Sequence, residues 1–131
     1  MKMSNNMAFV TRMFEKTRHK DFTYVADPAG WDRWKVHKEL DAFHGDCDDF
    51  AMTFAYRAMG RRFWVPLFKG EFELYQVDYK GVGHMICCIN DTWYDNIMKE
   101  PTPAGKLSGN YTNFKRLHPF VVLVNYFLWK W

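Results

Sequence analysis

The hydrophobic residues between positions 47 and 59 recur at intervals of one and three residues, which is the spacing of one face of an amphipathic helix. The neighbouring residues suit the two ends of a helix. Asp46 is a good N-cap, Asp49 holds the third position of a capping box, and Gly60 suits the position just past a C-terminus. The pattern therefore predicts a helix over Cys47–Met59. Its apolar stripe is formed by Cys47, Phe50, Ala51, Phe54, Ala55 and Ala58.

Two earlier segments also show a helical spacing of apolar residues. The first covers residues 8–19 and the second covers residues 31–43. Between them, the sequence Asp-Pro-Ala-Gly at 27–30 is typical of a turn. The first half of the chain is therefore predicted to be helical. The spacing is set by Val10, Met13, Phe14 and Thr17 in the first segment and by Val36, Leu40 and Phe43 in the second.

Short apolar runs typical of strands dominate the second half of the chain. The pair Asn90-Asp91 between two such runs indicates a hairpin, and Pro66 inside another run suggests an edge strand. A segment rich in Pro, Gly and Ser at 101–110 is predicted to be a loop. The predicted strands cover residues 63–68, 71–79, 84–89, 92–96 and 120–129.

Helices followed by strands predict an α+β fold, in which N-terminal helices pack on an antiparallel β-sheet. A length of 131 residues, without an internal repeat or a convincing linker, predicts one domain over residues 1–131. Because 48% of the residues are hydrophobic and only 25% are charged, an intrinsically disordered chain is excluded.

The net charge of +3, from 18 basic and 15 acidic residues, is too small to indicate a nucleic-acid partner. The three cysteines are an odd number and two are adjacent, which argues against a disulfide scaffold and for a reducing, cytoplasmic location. No apolar stretch follows the N-terminus, so no signal peptide is expected.

The apolar run 120–129 has about half the length of a membrane span, so a buried last strand is expected there. The rival interpretation of this run is a segment that docks a partner or a membrane surface.

Cys47 falls at the first position of the predicted helix, where unpaired backbone N–H groups and the positive end of the helix dipole favour an anion. This position can lower the pKa of a thiol, and its N–H groups can bind an oxyanion. The neighbouring Asp46, Asp48 and Asp49 oppose a thiolate, so a nearby imidazolium is required. The alternative is that Cys47 is a small buried residue on an apolar stripe.

His84 is the candidate base, because it begins a predicted strand after the flexible Gly81-Val82-Gly83. If Asn90-Asp91 forms a two-residue loop, Asp95 lies on the same face as His84, one diagonal step away. Asn96 then faces the other way, and a loop of odd length would exchange the two residues. The alternative roles of His84 and Asp95 are those of ordinary strand-end residues.

Together these residues would form a triad of nucleophile, base and orienting carboxylate. Cys47 would attack a carbonyl carbon. His84 would form an ion pair with the sulfur and later protonate the leaving group. Asp95 would orient the imidazole and stabilise its charged form.

The same residues lie in motifs that resemble those of a known family. The sequence GDCDDFA at 45–51 resembles the G-D-C-E-D-[FY]-A signature of bacterial transglutaminase-like cysteine peptidases, with Asp where Glu is usual. Downstream, Gly83-His84-Met85 resembles the glycine–histidine motif of that family, and Tyr94-Asp95-Asn96 resembles its L-D-N motif. Trp34 and Glu39-Leu40 resemble a tryptophan and an E-L pair that often precede the signature.

This resemblance covers residues 20–100 and implies a papain-like, transglutaminase-type core with Cys47, His84 and Asp95 as the catalytic triad. It implies a thiol-dependent hydrolase that cleaves a peptide or amide bond of a protein or peptide through an acyl-enzyme. The alternatives are a transglutaminase-type acyltransferase and a non-catalytic protein that binds a host factor. The short chain without an export signal resembles compact phage-encoded members, which implies the host cytoplasm and a host protein among the candidate partners.

No cofactor is expected. Some members of the family bind calcium through the acids that flank the cysteine, and Asp46 and Asp48 match those positions, although capping explains Asp46 without a metal. His44, Cys47 and the adjacent Cys87-Cys88 could suggest zinc, but adjacent cysteines fit the usual spacing of zinc ligands poorly. One of the two adjacent cysteines is expected to face the core, because strand neighbours alternate. Neither the oligomeric state nor a second oxyanion donor can be read from the sequence.

Overall fold

The structure of the protein is a computed structural model that describes residues 7–25 and 36–128. The helices are α1 (Met7–Glu15), α2 (Cys47–Met59), α3 (Trp64–Phe68) and α4 (Pro119–Leu128). A π-helical turn over Lys16–Asp21 continues α1, and a 3-10 turn covers Ala104–Lys106. The strands are β1 (Phe22–Tyr24), β2 (Phe43–Gly45), β3 (Phe72–Tyr79), β4 (Val82–Ile89), β5 (Thr92–Tyr94), β6 (Thr102–Pro103) and β7 (Tyr111–Arg116).

Five strands form one antiparallel sheet in the order β6-β5-β4-β3-β7. β1 and β2 form a separate parallel pair. Helix α2 packs on β4 and against α1, so the helices of the first half cover the sheet of the second half. This arrangement confirms the predicted α+β class with an antiparallel sheet. The described part of the chain contains no helix with the length and apolar character needed to cross a bilayer.

Two tight hairpins build the centre of the sheet. In the β4–β5 hairpin, Ile89 pairs with Thr92, so the loop contains only Asn90 and Asp91. Both loop residues have positive φ angles, of 51° and 57°, which is the backbone geometry of a type I′ turn. The predicted two-residue hairpin is therefore confirmed, and with it the register of the strand that carries His84.

Helix α2 has the predicted bounds and the predicted caps. The side chain of Asp46 accepts hydrogen bonds from the backbone N–H groups of Asp48 and Asp49, and the Asp49 carboxylate accepts from the N–H of Asp46. Gly45 lies against this cap, since a Cβ at its position would collide with the Asp49 carboxylate. Gly60 ends the helix with a φ of 90°, a value that favours glycine. The two caps fix where α2 begins and ends.

Aromatic rings fill the core between α1, α2 and the sheet. Phe14, Phe54 and Tyr94 are at most 1% exposed. The ring centroid of Tyr94 lies 4.9 Å from that of Phe54 and 5.5 Å from that of Phe14. Truncating one such ring to Ala typically costs roughly 3–5 kcal/mol of stability. Because Tyr94 precedes Asp95, this packing also fixes the chain at the end of β5.

A buried ion pair ties α2 to the π-helical turn. Nη1 of Arg57 donates to the Asp21 carboxylate at 2.8 Å and to the Thr17 hydroxyl at 3.1 Å. Nη2 of Arg57 donates to two backbone oxygens of the segment 39–41. Burial opposes the charge of Asp21, but hydrogen bonds from Lys16 and Arg57 outweigh it and lower the pKa of Asp21. The guanidinium therefore joins three separate parts of the chain behind the helix that begins with Cys47.

Two of the predicted strands are helices in the structure. Residues 63–68 form α3 and not an edge strand, because Phe63 and Leu67, four residues apart, are both buried. Pro66 is tolerated there, since the first turn of a helix has no intrahelical partner for its N–H. The predicted strand 120–129 is α4, up to its last residue, which lies outside the described part. An apolar run of this length fits either element, and packing against α3 decides for the helix.

The predicted helix over 31–43 is wrong where the structure describes it. Residues 36–42 form no regular element, and the chain then enters β2. Leu40 is 59% exposed while Phe43 is buried, so the helical spacing of these apolar residues marks no common buried face. The separate pairing of β1 with β2 decides the conformation of this segment instead.

The other differences concern one edge strand and the ends of elements. β7 is not predicted by the sequence, because five of its six residues are exposed and give no alternating apolar pattern. The predicted loop 101–110 contains β6 and the 3-10 turn, and the predicted helix 8–19 is α1 followed by the π-helical turn. The predicted turn at 27–30 and Trp34 lie outside the described residues.

Candidate active site

Cys47 is the first residue of α2 and is partly exposed. The N-cap takes up the backbone N–H groups of Asp48 and Asp49, which are the second and third helical residues. The N–H of Cys47 itself therefore keeps no hydrogen-bond partner among the described residues. The helix thus offers one backbone donor beside the sulfur, at the positive end of its dipole.

The surroundings of the sulfur oppose a thiolate. Burial raises the pKa of Cys47, and the carboxylates of Asp48 and Asp46 raise it further. The backbone of Met85 acts in the other direction but does not outweigh them. The thiol of Cys47 donates a hydrogen bond to Oδ1 of Asp48, with sulfur and oxygen 3.6 Å apart. Of the three flanking carboxylates predicted to oppose a thiolate, Asp46 and Asp48 raise the pKa of Cys47, and the sulfur is a neutral thiol at neutral pH.

His84 and Asp95 form a buried, hydrogen-bonded pair. Nε2 of His84 lies 2.5 Å from Oδ1 of Asp95, and the two side chains are 8% and 0% exposed. Because a carboxylate accepts, the ring proton lies on Nε2 and Nδ1 is the basic nitrogen. Nδ1 has no hydrogen-bond partner within the part of the chain that the structure describes. The imidazole is therefore oriented, and its basic nitrogen is available.

The short hairpin explains this pairing. The β4–β5 register pairs Cys87 with Tyr94, which places Asp95 on the same face as His84. The geometry thus selects Asp95 and not Asn96, as the sequence predicts. Asn96 makes no hydrogen bond to the imidazole, and its buried Oδ1 has no partner among residues 7–25 and 36–128.

A third residue, Tyr111, hydrogen-bonds to the His84–Asp95 pair, and the sequence does not reveal it. Tyr111, the first residue of β7, donates its hydroxyl to Oδ2 of Asp95 at 2.6 Å. Its ring centroid lies 4.8 Å from that of Tyr79 and 6.5 Å from that of His84. No motif marks Tyr111, and the connection 97–110 is too long for its register to be read from the sequence.

Cys47 and His84 line one cavity of about 270 Å³. No hydrogen bond joins the sulfur of Cys47 to the imidazole, so the ion pair expected from the sequence is not formed in this structure. Gln76 of β3 is exposed at the same cavity and pairs in register with Met85, which also lines it. The cavity therefore brings together a thiol, an oriented imidazole and a side-chain amide. The other lining residues are Tyr24, Asp46, Asp48 and Gly83.

The two cysteines outside the cavity are both buried. Cys87 is 0% exposed and Cys88 is 8% exposed, so not one but both of the adjacent thiols lie inside the fold. Burial raises the pKa of Cys88 to about 11, and it raises the pKa of Cys87 as well. In the described ranges, no three His, Cys, Asp or Glu side chains converge as metal ligands. Asp46 serves as a helix cap, and a calcium site at Asp46 and Asp48 stays a prediction.

Comparison with known proteins adds no assignment to this geometry. The search of protein-family models gives no match, and no curated protein matches the chain. Function is therefore inferred from the chemistry of Cys47, His84 and Asp95.

Proposed function

We propose that the protein is a thiol-dependent hydrolase of the transglutaminase-like cysteine peptidase type, with a papain-like arrangement of α2 against the sheet. The observation that carries this proposal is the buried His84–Asp95 pair at the wall of the cavity that contains Cys47. A histidine bonded to a carboxylate has a fixed tautomer and orientation, which a general base requires. Cys47, His84 and Asp95 then act as nucleophile, base and orienting carboxylate.

In the first half-reaction, Sγ of Cys47 attacks the carbonyl carbon of a peptide or amide bond while its proton passes to Nδ1 of His84. Since the resting thiol is neutral, this proton transfer accompanies the attack and is not a separate ionisation. The imidazolium then protonates the leaving amine, the C–N bond breaks, and a thioester remains on Cys47. In the second half-reaction, His84 takes a proton from a water molecule, which attacks the thioester and releases the acid and the thiol.

Two donors are available for the oxyanion that forms during each attack. The N–H of Cys47 is left unbonded by the helix cap, and the side-chain amide of Gln76 belongs to the same cavity. Removing one donor of this kind typically lowers kcat by about 10²–10³-fold. Gln76 is therefore our candidate for the second oxyanion donor, which the sequence motifs do not identify.

Two other functions remain as alternatives. A transglutaminase-type acyltransferase would use the same residues, with an amine in place of water in the second half-reaction. A non-catalytic binding protein is favoured by a different observation, namely that the thiol of Cys47 donates to Asp48 and not to His84. A phage origin, the host cytoplasm and a host protein as substrate or partner stay predictions of the sequence resemblance.

The test of the proposed function is acetylation of the purified protein by p-nitrophenyl acetate, followed by mass spectrometry of the intact chain. We expect one acetyl group on Cys47, which is absent in Cys47→Ala and unchanged in the matched variant Cys88→Ala. The acetylated protein is then chased with water or with methylamine. Release of acetate in both chases supports the hydrolase, and formation of N-methylacetamide supports the acyltransferase. A protein that is never acetylated on Cys47 contradicts both enzymes and favours the binding protein.

A further inference from the structure

Asp95 is a buried carboxylate with both oxygens engaged. Oδ1 accepts from His84 at 2.5 Å and Oδ2 accepts from the hydroxyl of Tyr111 at 2.6 Å, while the residue is only 1% exposed. A carboxylate held at one oxygen alone can turn about its terminal torsion, which is broad and roughly two-fold. A second donor on the other oxygen removes that freedom.

We propose that Tyr111 is a positioning residue, which holds Asp95 so that the proton of His84 stays on Nε2 and Nδ1 stays the base. The chain of contacts runs from β7 through the Tyr111 hydroxyl to Asp95, and from Asp95 to the imidazole on β4. The catalytic consequence of this role rests on the proposed function. The orientation of the imidazole does not, because it can be observed without any substrate.

The hydroxyl of Tyr111 is built to be a permanent donor. Burial raises the pKa of Tyr111, and the charge of Asp95 raises it further, so the phenol keeps its proton throughout the neutral range. The backbone of Tyr111 pairs with Tyr79 across β3 and β7, and their ring centroids are 4.8 Å apart. Backbone pairing and ring packing together fix the direction from which the hydroxyl approaches Asp95.

Removing this hydroxyl leaves Oδ2 of Asp95 buried without a donor, which a carboxylate does not tolerate unchanged. Asp95 would either turn away from the imidazole or take up a proton. In both cases Nε2 of His84 loses its fixed acceptor, and the neutral ring distributes its proton over both nitrogens. The base at Nδ1 is then present in only part of the molecules.

Nitrogen NMR of the histidine side chains measures the tautomer of His84 directly, because the two tautomers of a neutral imidazole give different ring-nitrogen shifts. The His84 signal is assigned from its absence in His84→Gln. In Tyr111→Phe, we expect a smaller fraction of the Nε2–H tautomer of His84 and an acetylation rate of Cys47 that is about tenfold lower. Tyr79→Phe is the matched control, because it removes a hydroxyl from the adjacent ring, which makes no hydrogen bond to Asp95.

A double-mutant cycle separates positioning from general loss of packing. In the Asp95→Ala background, Tyr111→Phe should change neither the tautomer nor the rate, because the residue through which it acts is gone. An unchanged His84 tautomer in Tyr111→Phe, an equal effect of Tyr79→Phe, or an additive effect in the Asp95→Ala background overturns the proposal. If the tautomer shifts in Tyr111→Phe but wild-type Cys47 is not acetylated, the role of Tyr111 stands and the proposed function fails. If Cys47 is acetylated and Tyr111→Phe changes nothing, the proposed function stands and the role of Tyr111 fails.

Discussion

The two halves of the candidate site are held in different ways. The acid–base half consists of His84 and Asp95, two buried side chains on neighbouring strands joined by a 2.5 Å hydrogen bond. The nucleophile half is Cys47, which is partly exposed at a helix terminus and bonds to Asp48 at 3.6 Å. The hydrogen bond of the acid–base half is formed before a substrate arrives, whereas Cys47 in the nucleophile half is still a protonated thiol.

The difference follows from what each half is built on. Strand register places the side chains of His84 and Asp95 on one face, and a slip by one residue would separate them. A helix cap fixes the backbone of Cys47 equally well, but it does so with carboxylates. Burial raises the pKa of Cys47 most, and Asp48 and the capping Asp46 raise it further, so the imidazole must remove the proton during the reaction.

Removing the base should have the largest effect on the rate of acetylation of Cys47. We expect His84→Ala to slow acetylation of Cys47 by about 10²–10⁴-fold, because the proton of the neutral thiol loses its acceptor. The release of p-nitrophenol, followed in a stopped-flow spectrometer, measures the rate. His44→Ala is the matched control, since His44 is exposed and does not line the cavity. Equal rates in His84→Ala and wild type would mean that the two halves do not work together.

The ion pair of Arg57 and Asp21 behind α2 can be removed without changing a residue of the candidate site. We expect Arg57→Met to lower the free energy of unfolding by about 3 kcal/mol, because Asp21 keeps a buried charge and loses one of its two charged partners. Urea denaturation measures this change. The tautomer of His84 should be unchanged in the folded variant, since the acid–base half rests on strand register. A changed tautomer would show that the two halves share their support.

The same ion pair gives a pH dependence with a defined sign. The pKa of Asp21 in the folded protein lies below its ordinary value of about 3.9. Its contribution to stability is therefore present above about pH 4 and is lost as the pH falls through the folded-state value. The difference in stability between wild type and Asp21→Asn should be smaller at pH 3 than at pH 7. A difference that is equal at both pH values would contradict the ionised pair.

The hairpin register can be tested with two adjacent substitutions. We expect Asp95→Ala to slow acetylation of Cys47 by about 10²-fold, less than His84→Ala, because the base remains but loses its orientation. Asn96→Ala should change the rate by less than about threefold, since Asn96 makes no hydrogen bond to the imidazole. The opposite order of the two effects would show that Asn96 is the orienting residue.

The smallest expected effect concerns the acids around the sulfur. We expect Asp48→Asn to lower the pKa of Cys47, because a negative charge beside the thiolate is removed. Glu73→Gln should instead lower the pKa of Cys88, which burial and then Glu73 raise, and leave Cys47 unchanged. Alkylation by iodoacetamide as a function of pH, followed by peptide mass spectrometry, measures both thiols. A shift of both thiols in either variant would contradict these local causes.

Local features of the fold could be predicted from the sequence. The bounds of α2 follow from Asp46, Asp49 and Gly60, which act within one or two turns of the helix. The pairing of His84 with Asp95 follows from a two-residue loop, because the register of a hairpin depends on its turn alone.

Features that depend on distant packing could not be predicted. α3 and α4 have the apolar content of strands, and only their mutual packing decides for helices. Tyr111 contacts Asp95 from a mostly exposed edge strand that follows a long connection, so no local sequence pattern indicates this contact. The neutral state of Cys47 depends first on burial, which the sequence around a cysteine does not report.

In the proposed mechanism, His84 serves Cys47 as its base. The most direct test compares the alkylation rate of each cysteine by iodoacetamide at pH 7 in wild type and in His84→Ala. Cys87 and Cys88 are internal controls in the same digest. We expect the rate at Cys47 to fall by at least about tenfold in His84→Ala, while the rates at the two control thiols stay the same. An unchanged rate at Cys47 in the folded variant would contradict the role of His84 as the base.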